Sequence, residues 1–473
     1  MSDHPDSRRD PVSRRAFLRR ASLTAGAVIL TACGGSPPAT PAEAPATQTT
    51  GVPAPQAAAP AAGAGKTLRF SSYTWSGYEQ AMKQVLDMWK KENPGVEIQT
   101  EFVGEDYWTK VQTQVAAGTP PDVGIADYGR TVSFAKGGVL LPLDDYIAVD
   151  KFPLEQFLPE GIAQYRWQQG AFDSGGKSGK IYGLPSDAQG HILAYNKKMF
   201  DDAGVKYPSN DWTWNDLVQV AKQITKADQN KWGIAVPGNS GLGTLYRGNF
   251  VYAAGGSLTT PDYKKSALDM PETIEAYKWM WDLIYTHKVA PRPVPSQQVE
   301  PFASGQVAMT IGGIWMIADW KEIKDFGWDI ALFPKHPRTG KRTTSLESDG
   351  WWAFKASKNP QLAWSLVKFM ASQTGQKKFA ELDFVVPPSI PAVGQAWHDK
   401  KPPEHRALHL QSLVNDSKKV NITFFEQAKI VGALDPVIQK AFFDGADITK
   451  QMEEAAKIMN DELAKAWEKF NEA

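Results

Sequence analysis

"KTLRFSSYTWSGYEQAMKQVLDMWKKENPGVEIQTEFV" (residues 66–103) decides the fold. It opens as a strand, "TLRFSSYTW". Tyr78, Met82, Val85, Leu86 and Trp89 then recur at helical spacing, which puts one apolar face on a helix. Asn93-Pro94-Gly95 stops that helix. From Val96 the period drops to two, with Val96, Ile98, Thr100 and Phe102 on one side, as in a half-buried strand. A second helix-like segment, Tyr107 to Ala117, leads into the short apolar strand "PPDVGIAD" (residues 120–127). Strand–helix–strand–helix–strand predicts an α/β protein with a parallel sheet and right-handed crossovers. Ligands of such sheets bind beyond the carboxyl ends of the strands. The residues at those ends are Tyr73, Trp75, Asp127 and Tyr128.

The α/β theme continues downstream without a detectable repeat. "DWTWNDLVQVAKQIT" (211–225) places Thr213 as N-cap with Asp216 three residues on, close to a capping box. "PETIEAYKWMWDLIYTHK" (271–288) and "LAWSLVKFMASQTGQKKF" (362–379) read as amphipathic helices, and the chain is expected to be helical from about Asp435 to Phe470. At 473 residues there is room for two or three domains of roughly 150 residues each. Lys plus Arg and Asp plus Glu both number 52, so the zero net charge argues against nucleic acid as a partner. A single cysteine excludes an intramolecular disulfide and any cysteine-rich metal site.

That cysteine lies in an N-terminal address. Arg14, Arg15, Arg19 and Arg20 precede a mostly apolar run from Ala21 to Leu30, too short for a stable membrane span. Ser13-Arg14-Arg15 with Phe17-Leu18 resembles a twin-arginine export signal. Leu30-Thr31-Ala32-Cys33 resembles a bacterial lipobox, which implies a signal peptide over 1–32 and a diacylglyceryl group on the Cys33 thiol. Residues 33–65 are dominated by Ala, Pro, Thr and Gly and carry Glu43 alone as a charge, so they read as a semi-flexible tether.

Four further stretches together resemble the extracellular solute-binding proteins of ABC sugar transporters, in the branch of maltose-binding protein. They are "PDVGIADYGRTVSFAKGGVLLPLDDYI" (121–147), "YGLPSDAQGHILAYNKKMFDDAGV" (182–205), "PFASGQVAMTIGGIWMI" (301–317) and "SDGWWAFKASKNPQLAWSLVKFM" (348–370). The resemblance implies a two-lobed periplasmic-binding-protein fold of type II. Residues 66–185 with 353–395 would form an N-terminal lobe, and 186–352 with 396–473 a C-terminal lobe. Strands near "GLPSDA" and "SDGWWAF" would cross between them and bound a ligand cleft. It also implies a monomeric, non-enzymatic receptor without a cofactor, held at the outer face of the cytoplasmic membrane beside its permease.

Sugars offer hydroxyls and flat apolar faces, so their sites need planar aromatics flanked by carboxylates and amides. Where the family places its ligand contacts, this chain has Tyr73 and Trp75, then Asp127, Tyr128 and Arg130. Asp187 and Gln189 lie at the first crossover, Tyr246 and Asn249 near "TLYRGNFVYAAGG", Trp315 after "TIGGI", and Asp349 and Trp351 at the second crossover. Bland readings stand beside these. Trp75 could cap the first helix, Asp349 could be a turn residue, and Arg130 could sit in a surface ion pair. Strand alternation sends Trp351 and Trp352 to opposite sides, so at most one lines the cleft.

Other motifs fail. "GGKSGK" (175–180) has Ala171 where a phosphate loop needs glycine, and His405 and His409 lack the glutamate of a zinc-protease helix. A polyol-phosphate receptor is the nearest alternative and needs donors converging from Arg130, Arg166 and Arg247. A secreted glycoside hydrolase needs two carboxyls about 5–9.5 Å apart, and no stretch marks such a pair.

Overall fold

The computed structural model describes residues 66–473 apart from 75–76, 105, 175–177, 237–241, 294–300, 384–385, 419–422 and 473. The expected signal, Cys33, the expected tether and Trp75 therefore lie outside the described residues, as does the side chain of Tyr246.

The opening segment folds as its periodicity predicts. β1 (Lys66–Tyr73), α1 (Tyr78–Glu92), β2 (Val96–Val103), α2 (Tyr107–Ala116) and β3 (Val123–Ala126) follow in order. All five apolar positions of α1, from Tyr78 to Trp89, are buried. β1 pairs in parallel with both β2 and β3. The sheet is completed by β4 (Leu184–Pro185) and by a strand from far along the chain, Gly350–Ala353, which runs antiparallel to both β3 and β4.

β4 feeds the second lobe. There β5 (His191–Asn196) is the centre of a three-stranded sheet, flanked by β6 (Met309–Gly313) and β7 (Trp328–Ala331), both antiparallel to it. Between them come α3 (Trp214–Ile224), α4 (Leu242–Ala254) and α5 (Pro271–Tyr285). α3 starts on the expected capping box: the Thr213 side chain accepts from the Asp216 N–H, and Asp216 accepts from the Thr213 N–H at 2.7 Å. The strand Gly350–Ala353 is β8, and it moves one lobe boundary. Residues 350–352, assigned from sequence to the C-terminal lobe, are ladder partners of β3 in the first sheet.

The rest of the chain returns to the first lobe and then leaves it. α6 (Pro360–Ala371) and α7 (Gln373–Glu381) are separate helices, because Ser372 turns out of the helix and caps the second by accepting from Gly375 N–H. The expected C-terminal helix is likewise two, α8 (Gln427–Asp444) and α9 (Ile448–Glu472), broken at Gly445 in the left-handed conformation (φ 76°). These two helices touch both lobes, which the assignment of 396–473 to the C-terminal lobe did not anticipate. Trp467 stacks on Phe172 with ring centroids 4.1 Å apart, while Asn460 accepts from the Ser266 N–H at 2.8 Å.

The paired tryptophans show how the first sheet is packed. Trp351 faces Phe70 (6.0 Å) and Phe379 (6.3 Å), whereas Trp352 faces Phe134 (5.1 Å) on the other side. Both are buried, so each sheet face has an indole at its core.

Candidate functional site

Two extended segments cross between the lobes side by side. One, 186–190, joins β4 to β5, and the other, 345–349, leads into β8. They are bound by reciprocal backbone hydrogen bonds between Gln189 and Glu347 (2.7 and 3.0 Å) and by Ser186 N–H to Asp349 O (2.8 Å). A third segment at 387–389 lies alongside, with Ala188 N–H donating to Pro387 O at 3.0 Å. Alternation along an extended chain puts Asp187 and Gln189 on one side of the first segment, and Glu347 and Asp349 on one side of the second.

The crossing segments floor a cleft with two adjoining compartments. The larger, about 790 Å³, is lined by residues that include Tyr73, Tyr78, Asp187, Gln189, Trp315 and Asp349. The smaller, about 380 Å³, lies toward α8 and is lined by residues that include Asp127, Tyr128, Arg130, Glu347 and Gln427. Gln189, Trp315 and Asp349 line both.

Hydrogen bonds hold the floor in place. Gln189 Nε2 donates to Asp187 Oδ1 (3.0 Å) and Asp349 Oδ2 (3.3 Å). Ser186 Oγ donates to Asp187 Oδ2 (2.8 Å), and the Asp349 N–H donates to Asp187 Oδ1 (3.0 Å). Tyr73 OH donates to Asp349 Oδ2, tying the end of β1 to the second crossing. Asp349 is therefore more than a turn residue.

Burial raises the carboxyl pKa values across this floor. Asp187 is pushed well up, by desolvation first and by the Asp349 charge second. Asp349 and Glu347 are each raised to about 7, chiefly by desolvation. Asp127 is raised by burial against the opposing pull of the Arg130 guanidinium. Beneath the floor, His191 Nδ1 shares a hydrogen bond of 2.7 Å with Ser345 Oγ. Burial lowers its pKa to about 3 and keeps the ring neutral.

Trp315 owes its place to a glycine. It sits in a turn, Ile314–Met316, directly after β6, with its ring edge-on to His191 at 5.6 Å. A Cβ on Gly313 would come within 2.2 Å of the indole, so only glycine lets the ring lie back over the strand end.

Most of the strand-end and crossover candidates come together here: Tyr73, Asp127, Tyr128, Arg130, Asp187, Gln189, Trp315 and Asp349 all line the cleft. Arg130 does so while bound. Its Nε lies 3.4 Å from Asp127 Oδ2, and its guanidinium rests 4.7 Å from the Trp108 ring centroid. Trp351 borders the larger compartment but is 1 % exposed, a core side chain more than an open stacking face. Asn249 is not brought in. It is buried in α4, lines neither compartment, and its side-chain amide has no hydrogen-bond partner.

Sequence reasoning missed Glu347, Tyr78 and Gln427. Glu347 carried a signal, since it sits two residues before Asp349 on an extended segment. Tyr78 was read only as the first apolar position of α1. Gln427 carried no signal: it enters from a helix nearly 80 residues beyond Asp349.

Comparison with known proteins gives a consistent picture. Residues 75–377 match the model of the family described as bacterial extracellular solute-binding protein. A maltotriose-binding protein of Pyrococcus abyssi is 27 % identical over 65 % of this chain and 62 % of its own. An erythritol/L-threitol-binding protein of Mycolicibacterium smegmatis is 22 % identical over 74 % of this chain and 77 % of its own. Among solved structures, an ABC substrate-binding protein of Listeria monocytogenes in complex with cycloalternan superposes with a TM-score of 0.75. It is 25 % identical and covers 84 % of this chain and 99 % of its own.

Proposed function

This chain belongs to the bacterial extracellular solute-binding proteins, and we propose that it is the receptor of an ABC importer, capturing a sugar or oligosaccharide in the interlobe cleft. The observation that carries this reading is Trp315 beside the hydrogen-bonded row Asp187–Gln189–Asp349. An indole face covers the apolar side of a pyranose, and around it ionised carboxylates accept charge-assisted hydrogen bonds from hydroxyls while the Gln189 amide makes neutral ones. Tyr73, Asp127, Tyr128 and Arg130 would add contacts from the first lobe, with Trp351 as backing. Ligand bridging the two lobes shifts the population toward the closed form, and the crossing segments absorb the hinge rotation. The closed form is then what a membrane permease would recognise.

A phosphate ligand is less well served. Arg166 Nη1 is committed to Gly179 O at 2.9 Å, and Arg247 is buried against the Phe442 ring at 4.1 Å. Arg130 is left as the one of the three that reaches the cleft. The function proposed is binding and delivery, without catalysis. Among the described residues no helix is long and apolar enough to cross a membrane. The proposed attachment is through lipid on Cys33, after export by the twin-arginine route.

The test is a thermal-shift screen over mono- and oligosaccharides, polyols and polyol phosphates. A cognate ligand at 100 times its Kd stabilises the folded form by about 2.7 kcal/mol, a shift of several degrees. A shift with polyol phosphates alone, no shift with any carbohydrate, or cleavage of an oligosaccharide by the purified protein would overturn the reading.

A further inference from the structure

The smaller compartment has a charge balance that a neutral sugar does not need. Asp127, Glu347 and Asp349 line it against a single cation, Arg130. That cation is already engaged with Asp127 and with the Trp108 ring. The larger compartment is acidic too. Its Lys321, the one cation among its described lining residues, is paired with Asp383 at 3.2 Å.

A second observation is independent of the carboxylates. Gln427, 6 % exposed, lines the same compartment from α8, and its Oε1 has no hydrogen-bond partner. It lies over Gly129, where an added Cβ would meet Oε1 at 3.6 Å. A buried acceptor without a donor is costly to leave unsatisfied, and among the described residues the one buried donor of this wall that also lacks a hydrogen bond, Arg130 Nε, is held toward Asp127 at 3.4 Å. A metal ion does not answer the need: among the described residues no three His, Cys, Asp or Glu side chains are grouped to hold one.

We infer that the compartment beside α8 takes a protonated amino group, and that the ligand is an amino sugar or an oligosaccharide containing one. The inference rests on the carbohydrate reading above and narrows it. An ammonium brings three N–H donors and one positive charge. In this compartment it would meet the Gln427 carbonyl and the Glu347 and Asp349 carboxyls as acceptors. Burial holds both carboxyls near a pKa of about 7 in the empty cleft, so a cation arriving there favours their ionised forms. The partly enclosed walls keep solvent and salt from screening that attraction fully.

The experiment is isothermal titration of the full-length chain with matched pairs: glucosamine against glucose, galactosamine against galactose, and β-1,4-linked diglucosamine against cellobiose. Maltotriose serves as a longer neutral probe. At pH 7.5 and low salt the amino member of a binding pair is expected to bind at least about tenfold tighter. Raising the salt should erode that preference, while the neutral member's affinity stays constant. Glu347→Gln should bring the ratio close to one. Gln427→Leu is the second variant, away from the crossing segments, and should reduce the same ratio several-fold. Neutral members binding as tightly as their amino partners, or maltotriose binding where no amino sugar does, would overturn the inference and leave the carbohydrate reading standing. If no carbohydrate of either kind bound, both would fall.

Discussion

Asp349 shows at residue scale how one carboxyl can serve binding at the expense of stability. Its folded pKa is raised to about 7, by desolvation first, against roughly 3.9 in an unfolded chain. The folded state therefore keeps a proton that the unfolded state has lost. The resulting penalty is absent below about pH 4, grows as pH rises toward 7, and is complete above it. Asp349→Asn removes the titration and keeps an acceptor for Tyr73 OH. The variant should be more stable than wild type by about 1–2 kcal/mol at pH 8, a figure discounted for contact with solvent in the cleft. At pH 4.5 most of that difference should be gone. Sugar affinity should fall about tenfold at pH 8, because a charge-assisted acceptor becomes a neutral one. Denaturant melts at both pH values, with titration of a bound sugar, check this. His191 works in the opposite sense: held neutral with a pKa near 3, it costs stability as pH falls below about 6.5. For that reason the comparison is made between variant and wild type at each pH. The legibility of single residues in the sequence followed their position. Asp127 was readable because a strand terminus is a local property, while Asp187, Gln189 and Asp349 were readable only through the family resemblance that placed the crossovers. Asn249 misled because its helix buries it away from the cleft, which no local pattern reports.

At the scale of an element, the turn after β6 is where backbone permissiveness becomes ligand geometry. Gly313 has an ordinary φ of −73°, so alanine fits its backbone conformation. What alanine cannot avoid is the indole, 2.2 Å from its Cβ. Gly313→Ala should expel the Trp315 ring from the cleft wall and leave the β5–β6 ladder intact. The expected result is a loss of sugar affinity comparable to Trp315→Ala, roughly ten- to a hundredfold, with unfolding shifted by no more than about 2 kcal/mol. Tryptophan fluorescence on ligand addition separates the outcomes: an unchanged response and affinity would show that Trp315 does not stack on the ligand. Element boundaries were legible where side chains announce them, as at Asn93-Pro94-Gly95 and the Thr213 cap. The breaks at Ser372 and Gly445 were missed. Both flanking segments keep a helical apolar stripe, which masked the two local signals present, the Ser372 cap and the left-handed Gly445.

For the whole molecule, the proposed anchoring and the binding are separable. Cys33 precedes the proposed tether, 32 residues rich in Ala and Pro with Val52 as their one larger apolar side chain, and the cleft is lined by residues from Tyr73 onward. Cys33→Ser should therefore move the protein from the membrane to the soluble fraction and leave sugar affinity within twofold of wild type. A variant that stays in the membrane fraction would refute lipidation at Cys33. The α/β class and the helices and strands that open the first lobe were fixed by residues close together in the chain, because hydrophobic period and turn chemistry act over a few neighbours, whereas the two crossings were legible only through the family resemblance. Only the tertiary structure decided how the cleft is divided and what its α8 side lacks. Asp127, Glu347 and Gln427 meet on that side from segments up to 300 residues apart. Their shared desolvation, which raises the carboxyl pKa values and leaves the Gln427 carbonyl without a donor, exists only once the lobes have enclosed them.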